Sequence, residues 1–118
     1  MTTKSPQSLV FDALEVVKTI SSDEALKLSN DNQCNLIDIR EEIELQNNGK
    51  IENSIHVPRG LLEFSINPDS IDLNKEIVLF CAAGGRSALA AKTLNEMGFE
   101  KVSHVEGGFS AMQESGFK

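Results

Sequence analysis

Two thiols are present, and only one of them has neighbours that fit a reaction. Cys81 lies in Phe80-Cys81-Ala82-Ala83-Gly84-Gly85-Arg86-Ser87, after the apolar run Ile77-Val78-Leu79-Phe80. The run reads as a short buried strand. Ser87 to Met97 follows, rich in helix formers and stopped by Gly98. A thiol reacts as its thiolate, and free cysteine titrates near ~8.5, so a reactive cysteine needs its anion stabilised. The first N–H groups of a helix have no internal acceptor and carry partial positive charge. A short loop entering that helix turns further N–H groups inward as an anion nest. Gly84 and Gly85 allow positive φ and keep side chains out of the hollow, and Ala82 and Ala83 are too small to fill it. Arg86 brings fixed charge and several donors to the helix entrance, next to Ser87. The expected product is a thiolate in a cup of N–H groups with room for an anionic substrate. A lone cysteine at a strand end is more often a buried filler. Here thiol, two glycines, arginine and helix start coincide within seven residues, which favours the functional reading.

The other candidates are weaker. Cys34 opens Cys34-Asn35-Leu36-Ile37-Asp38-Ile39, which reads as a core strand, and a small apolar filler is its simplest role. His56 and His104 have no ligand spacing, and each reads as a surface or satisfied structural histidine rather than a base. Arg59 follows Pro58 near the carboxyl end of another strand, where it is either a pocket-rim cation that steers a dianion or a solvated side chain.

The elements that must position Cys81 follow from the rest of the chain. Its 118 residues suit one domain, divided into a tail and covering helix over 1–18 and the main body over 19–118. Hydrophobic residues make up 40%, enough for one core, and six Phe supply all the aromatic bulk. A net charge of −7 argues against nucleic acid and anionic membrane surfaces as partners, so an anionic substrate must be attracted locally. No CxxC pair, disulfide framework or metal-ligand spacing occurs, and neither a metal nor another cofactor is expected. The N-terminus lacks a signal-like apolar core and no run is long enough to span a membrane, which makes a reducing cytoplasm the expectation.

Residues 1–6 read as a loose tail, followed by a helix from Gln7 to about Ala13 and a strand near Val17 to Ile20, although Val16 to Ile20 fits either state. Ser21-Ser22-Asp23-Glu24 is a capping box that starts a helix to about Ser29. After strand Cys34–Ile39 a short helix runs through Gln46, and Ile55-His56-Val57 forms a brief strand ended by Pro58. Gly60 to Phe64 reads as a helical turn with Leu61, Leu62 and Phe64 inward. Strand Ile77–Phe80, helix Ser87–Met97, strand Lys101–Val105 and a last helix Phe109–Glu114 complete the chain. This alternation predicts an α/β fold, a parallel sheet with helices on both faces and ligands at the carboxyl ends of its strands.

Cys81-Ala-Ala-Gly-Gly-Arg86-Ser87 resembles the active-site loop of rhodanese-like sulfurtransferases, Cys-x-x-Gly-x-Arg. The resemblance extends from about Thr19 to Phe117. Asp38-Ile39-Arg40 matches an Asp-x-Arg after the second strand, Glu44 stands where the family has a glutamate, and Glu106-Gly107-Gly108-Phe109 matches near the end. Gly49-Lys50-Ile51-Glu52-Asn53-Ser54-Ile55-His56-Val57-Pro58 looks like the family's Gly-His-Ile-x-Gly-Ala-x-x-Ile-Pro, with Lys50 for histidine and Asn53 for glycine. Asn53 tolerates a left-handed turn better than most residues. Met112 stands near a common tryptophan position.

The resemblance implies a rhodanese-like, five-stranded parallel sheet and a double displacement. Cys81 would attack the outer sulfur of a small anionic donor such as thiosulfate, and its persulfide would pass sulfur to cyanide, a thiol or a protein acceptor. Arg86 would orient loop and donor. Asp38 and Arg40 would form a structural pair under the loop. The chain is expected to act as a monomer or weak homodimer. Two rivals remain: a sulfur-relay or binding module without free turnover, and a small phosphatase or arsenate reductase. Those last enzymes carry five residues between cysteine and arginine, against four here, and no mobile loop with an acid is evident.

Overall fold

The computed structural model describes residues 3–118. Helix α1 (Pro6–Leu14) begins one residue before the expected start, because Pro6 takes the first helical position and Ser5 Oγ accepts from Ser8 N at 3.0 Å. Of the expected tail, Met1 and Thr2 lie outside the described residues. Strand β1 (Lys18–Ile20) leads to α2 (Ser22–Asn30), where Ser21 Oγ accepts from Glu24 N at 3.1 Å, as the capping box predicts. There follow β2 (Cys34–Asp38), α3 (Glu42–Asn48), β3 (Ile55–His56), a 3-10 turn (Arg59–Leu61) and α4 (Leu62–Ser65). The chain then forms β4 (Glu76–Phe80), α5 (Gly85–Glu96), β5 (Val102–Val105) and α6 (Gly108–Ser115).

The five strands form one sheet in the order β1-β5-β4-β2-β3, and every pairing is parallel. Central β4 lies between β2 and β5, so the residue after it emerges at the carboxyl edge of the sheet, where parallel α/β folds bind ligands. Strand alternation splits the core in two. Ile37, Ile77, Leu79 and Val102 face α4 and α5 with Leu62, Ala90, Ala91 and Leu94. Leu36, Val78, Phe80 and Val105 face α2 and α6 with Ala25, Phe109 and Met112. Helices therefore cover both faces, and α1 packs on α5. Asn53 takes φ +67, the left-handed conformation expected of it.

The segment after β3 corrects the sequence reading. Leu62 is fully buried, but Leu61 and Phe64 point outward, and Phe64 is 86% exposed. The α-helical part is a single turn, so only one stripe reaches the sheet: Leu62 and Ile66, four residues apart. Three neighbouring apolar residues cannot share that stripe.

Candidate active site

Cys81 is the first residue beyond β4, and its side chain faces α5 because Leu79, two residues earlier, does. The loop turns at once into α5 through Gly84 at φ +110, a value that strains any other residue. That turn brings two backbone donors onto the sulfur: Gly84 N at 3.2 Å and Ser87 N at 3.3 Å from Cys81 Sγ. Ser87 Oγ lies 3.6 Å from the same sulfur. Ala88 N makes the first bond to Gly84 O, so the amides of Gly85, Arg86 and Ser87 have no acceptor within the helix. The expected cup of N–H groups is present in this geometry. Cys81 itself is almost fully buried, at 1% exposure.

The loop is fastened from behind by α6. Phe109 N donates to Cys81 O at 2.8 Å. Gly108, at φ +56, passes so close that a Cβ there would meet Cys81 O and come within 2.8 Å of Ala82 O. Arg40 lies over the Phe109 ring, 3.9 Å from its centroid. Its guanidinium grips Asp38 with Nε at 3.0 Å and a terminal nitrogen at 2.8 Å, and that nitrogen also donates to Gly49 O at 3.0 Å. Both members of this ion pair are buried and satisfied, as a buried pair requires. Asp38 and Arg40 are thus a bonded pair whose guanidinium packs on Phe109, the residue whose backbone N–H holds Cys81 O.

Arg86 is held by a carboxylate on another helix. Its two terminal nitrogens each donate to one oxygen of Glu44 at 2.8 Å, a fork that ties the start of α5 to the start of α3. Glu44 also accepts from Glu41 N at 2.7 Å and so caps its own helix. The bonds from Arg86 above all pull the Glu44 carboxyl down to about 2, and the same bonds push the guanidinium above its ordinary value. Burial opposes both shifts. Sequence reading noted Glu44 but did not pair it with Arg86, since nothing in a 42-residue separation marks which carboxylate will arrive.

A cavity of about 330 Å³ opens over the loop, lined by Pro6, Val10, Cys81, Ala82, Ala83 and Leu89 among others. Helix α1, expected only to cover core, therefore supplies part of the wall above the thiol. Arg59 is not brought to this place: its guanidinium donates to Glu63 Oε1 at 2.8 Å and to Thr93 Oγ1 at 3.2 Å, two turns along α5 from Arg86. Cys34 is half-buried, and burial, aided by Glu76, pushes its thiol up, away from reactivity. His56 bonds Arg40 O at 2.7 Å. His104 is a satisfied, buried histidine, with Nδ1 at 2.9 Å from Ser87 Oγ and Nε2 at 2.9 Å from Thr19 Oγ1.

A parallel five-stranded sheet covered by helices on both faces, with a cysteine loop at the carboxyl end of its central strand, defines an α/β domain. The model of the Rhodanese-like domain matches residues 21–115, and the chain belongs to that family. It is 36% identical over 87 residues to the candidate sulfurtransferase YtwF of Bacillus subtilis (strain 168), covering 74% of this chain and 81% of YtwF. It is 37% identical over 79 residues to the candidate sulfur carrier protein YrkF of the same strain, covering 67% of this chain but only 41% of YrkF. Two solved structures are alike over most of their length. One is RPA3614 of Rhodopseudomonas palustris CGA009, a protein of unknown function described as a possible tyrosine phosphatase (36% identity, TM-score 0.87, 100% of this chain and 96% of that one). The other is the polysulfide-sulfur transferase homodimer of Wolinella succinogenes (36% identity, TM-score 0.78, 93% and 82%). Among the described residues no helix is long and apolar enough to cross a membrane.

Proposed function

We propose that the chain is a sulfurtransferase that carries a sulfane sulfur as a persulfide on Cys81. The observation that carries this reading is the pair of N–H groups 3.2 and 3.3 Å from Cys81 Sγ at the floor of an open cavity. The Cys81 thiolate attacks the outer sulfur of a donor such as thiosulfate. A new S–S bond forms, the donor's own sulfur–sulfur bond breaks, and sulfite leaves with the electron pair. The terminal sulfur of the anionic persulfide lies within the loop Ala82-Ala83-Gly84-Gly85-Arg86-Ser87, whose amides oppose its charge. A nucleophile such as cyanide or a thiolate then takes that sulfur and returns the thiolate. Arg86, locked to Glu44, fixes the loop's shape and lends residual positive field. Asp38 and Arg40 support it through Phe109.

A second reading is a relay domain that exchanges sulfur only with a protein partner. It is favoured by the apolar wall of Pro6, Val10 and Leu89 and by the engagement of both Arg86 and Arg59 with carboxylates, which leaves a free dianion little to bind besides the loop amides. The phosphatase reading meets a loop of four residues between Cys81 and Arg86, one fewer than phosphatases use. A panel of thiosulfate, mercaptopyruvate, polysulfide and an aryl phosphate, read as thiocyanate, sulfite, pyruvate and phosphate released, tests all three. Thiocyanate from a small donor supports free sulfur transfer. Persulfide loading without turnover supports the relay, and phosphate release with no loading rejects both.

A further inference from the structure

The thiol is buried beneath its cavity, yet it connects to the exposed edge strand β1 through side chains that the transfer chemistry leaves unused. From Cys81 Sγ the contacts run 3.6 Å to Ser87 Oγ, 2.9 Å on to His104 Nδ1, and 2.9 Å from His104 Nε2 to Thr19 Oγ1. Cys81, Ser87 and His104 are at most 1% exposed, whereas Thr19 is exposed. The line crosses three elements that the fold sets side by side. Ser87 is on the first turn of α5, His104 is on β5 with its side chain on the α5 face, and Thr19 of β1 pairs with His104. A second opening, which adjoins the cavity over the thiol across Val10, Ala83 and Gly85 and is lined by Thr19, Leu14, His104 and Glu106, receives the far end.

We propose that Ser87, His104 and Thr19 form a proton relay that takes the Cys81 proton to solvent through these side chains and not through the substrate cavity. In the thiol state S–H donates to Ser87 Oγ, Ser87 O–H donates to His104 Nδ1, and His104 Nε2–H donates to Thr19 Oγ1. Ionisation moves each proton one place along. The thiol proton goes to Ser87, the Ser87 proton to Nδ1, the Nε2 proton to Thr19, and the Thr19 hydroxyl proton to water. Sulfur alone changes charge, and His104 passes from its Nε2–H to its Nδ1–H tautomer. Reversed hydrogen bonds then aim the Ser87 hydroxyl at the thiolate as a third donor beside the amides of Gly84 and Ser87. A donor seated in the cavity blocks the other path for the proton, which gives the rear route its use.

The surroundings suit a neutral, tautomer-switching imidazole. Burial disfavours the His104 cation and lowers its pKa, against a smaller opposite pull from Glu106. The other charges nearby point elsewhere: Lys18 of β1 pairs with Glu76, and Arg86 of α5 pairs with Glu44. From α1 the opening receives only Val10 and Leu14. A proton shuttle by double transfer needs this neutrality.

The test reads the His104 ring nitrogens by nitrogen-15 NMR across the pH range in which Cys81 reacts with iodoacetamide, alkylation being located by peptide mapping. Alkylation needs no sulfur donor, so failure of the relay is separable from failure of sulfur transfer. The expected result is a neutral ring that inverts from Nε2–H to Nδ1–H at the pH where Cys81 becomes reactive, and no inversion in Cys81→Ala. Thr19→Val, a shape-matched change on an edge strand, should slow Cys81 alkylation about tenfold and uncouple the tautomer from pH, and Thr19→Ser should restore both. One tautomer throughout the range, an imidazolium formed in place of the inversion, or a Thr19→Val protein that alkylates as fast as wild type would overturn the relay.

Discussion

Glu44→Gln tests whether Arg86 acts as the anchor of the loop around Cys81. The glutamine keeps the size of Glu44 but removes the charge and turns one acceptor into a donor facing Arg86, so one arm of the 2.8 Å fork is lost. Exposed ion pairs contribute ~0–1 kcal/mol and hydrogen bonds to charged groups ~1.5–3 kcal/mol. With Arg86 38% and Glu44 24% exposed, solvent screens the pair in part. The expected loss is therefore about 1–2 kcal/mol, or about 3–10 °C in melting temperature for a domain of this size. The effect carries a pH signature. Glu44 titrates at about 2 when folded, against 4.5 for the free group. Its stabilisation is complete above about pH 5 and is lost as pH falls from there through about 2, since the unfolded chain binds the proton first. By about pH 3 less than half remains on those two values. Urea unfolding of wild type and Glu44→Gln at pH 7 and pH 3 measures both. A gap of about 1–2 kcal/mol at pH 7 that shrinks by more than half at pH 3 is the expected result. No gap at pH 7, or an equal gap at both, would refute the anchoring.

Gly108→Ala should displace Cys81 and Ala82, because the new Cβ meets their backbone and φ +56 is itself strained, costing about 1–2 kcal/mol before the clash. Activity should fall at least tenfold with the fold retained by circular dichroism, and normal turnover would refute the fit. Arg59→Ala should leave the Michaelis constant for thiosulfate unchanged and cost at most about 1 kcal/mol, since its guanidinium is engaged by Glu63 and Thr93. A raised constant at low ionic strength would instead give Arg59 a part in donor binding. Inserting one glycine between Ala83 and Gly84 should widen the cup, raise affinity for phosphate or sulfate in calorimetry and lower sulfur transfer. Transfer at the wild-type rate would show that loop length does not decide the chemistry.

What the sequence made legible was whatever local pattern controls. Alternating strands and helices gave the parallel sheet, Ser21 and Glu24 gave the α2 cap, and the spacing from Cys81 to Arg86 gave the loop. What stayed hidden depends on which distant elements become neighbours. The Glu44 that holds Arg86 comes from α3, and the His104 that reaches Ser87 does so because β5 enters the sheet beside β4. Arg59 stands after a strand end, as read, but a single turn later Glu63 captures it. Leu61 and Phe64 misled for a related reason: apolar type predicts burial, and only register within one helical turn decides which residue obtains it.

The most direct measurement is the mass of the protein after incubation with a sulfur donor. One added sulfur atom, mapped to the Cys81 peptide, removed by cyanide as thiocyanate and absent in Cys81→Ser but present in Cys34→Ser, is the predicted result. A sulfur on Cys34, or turnover that survives in Cys81→Ser, would contradict a mechanism in which the cupped thiol carries the sulfur.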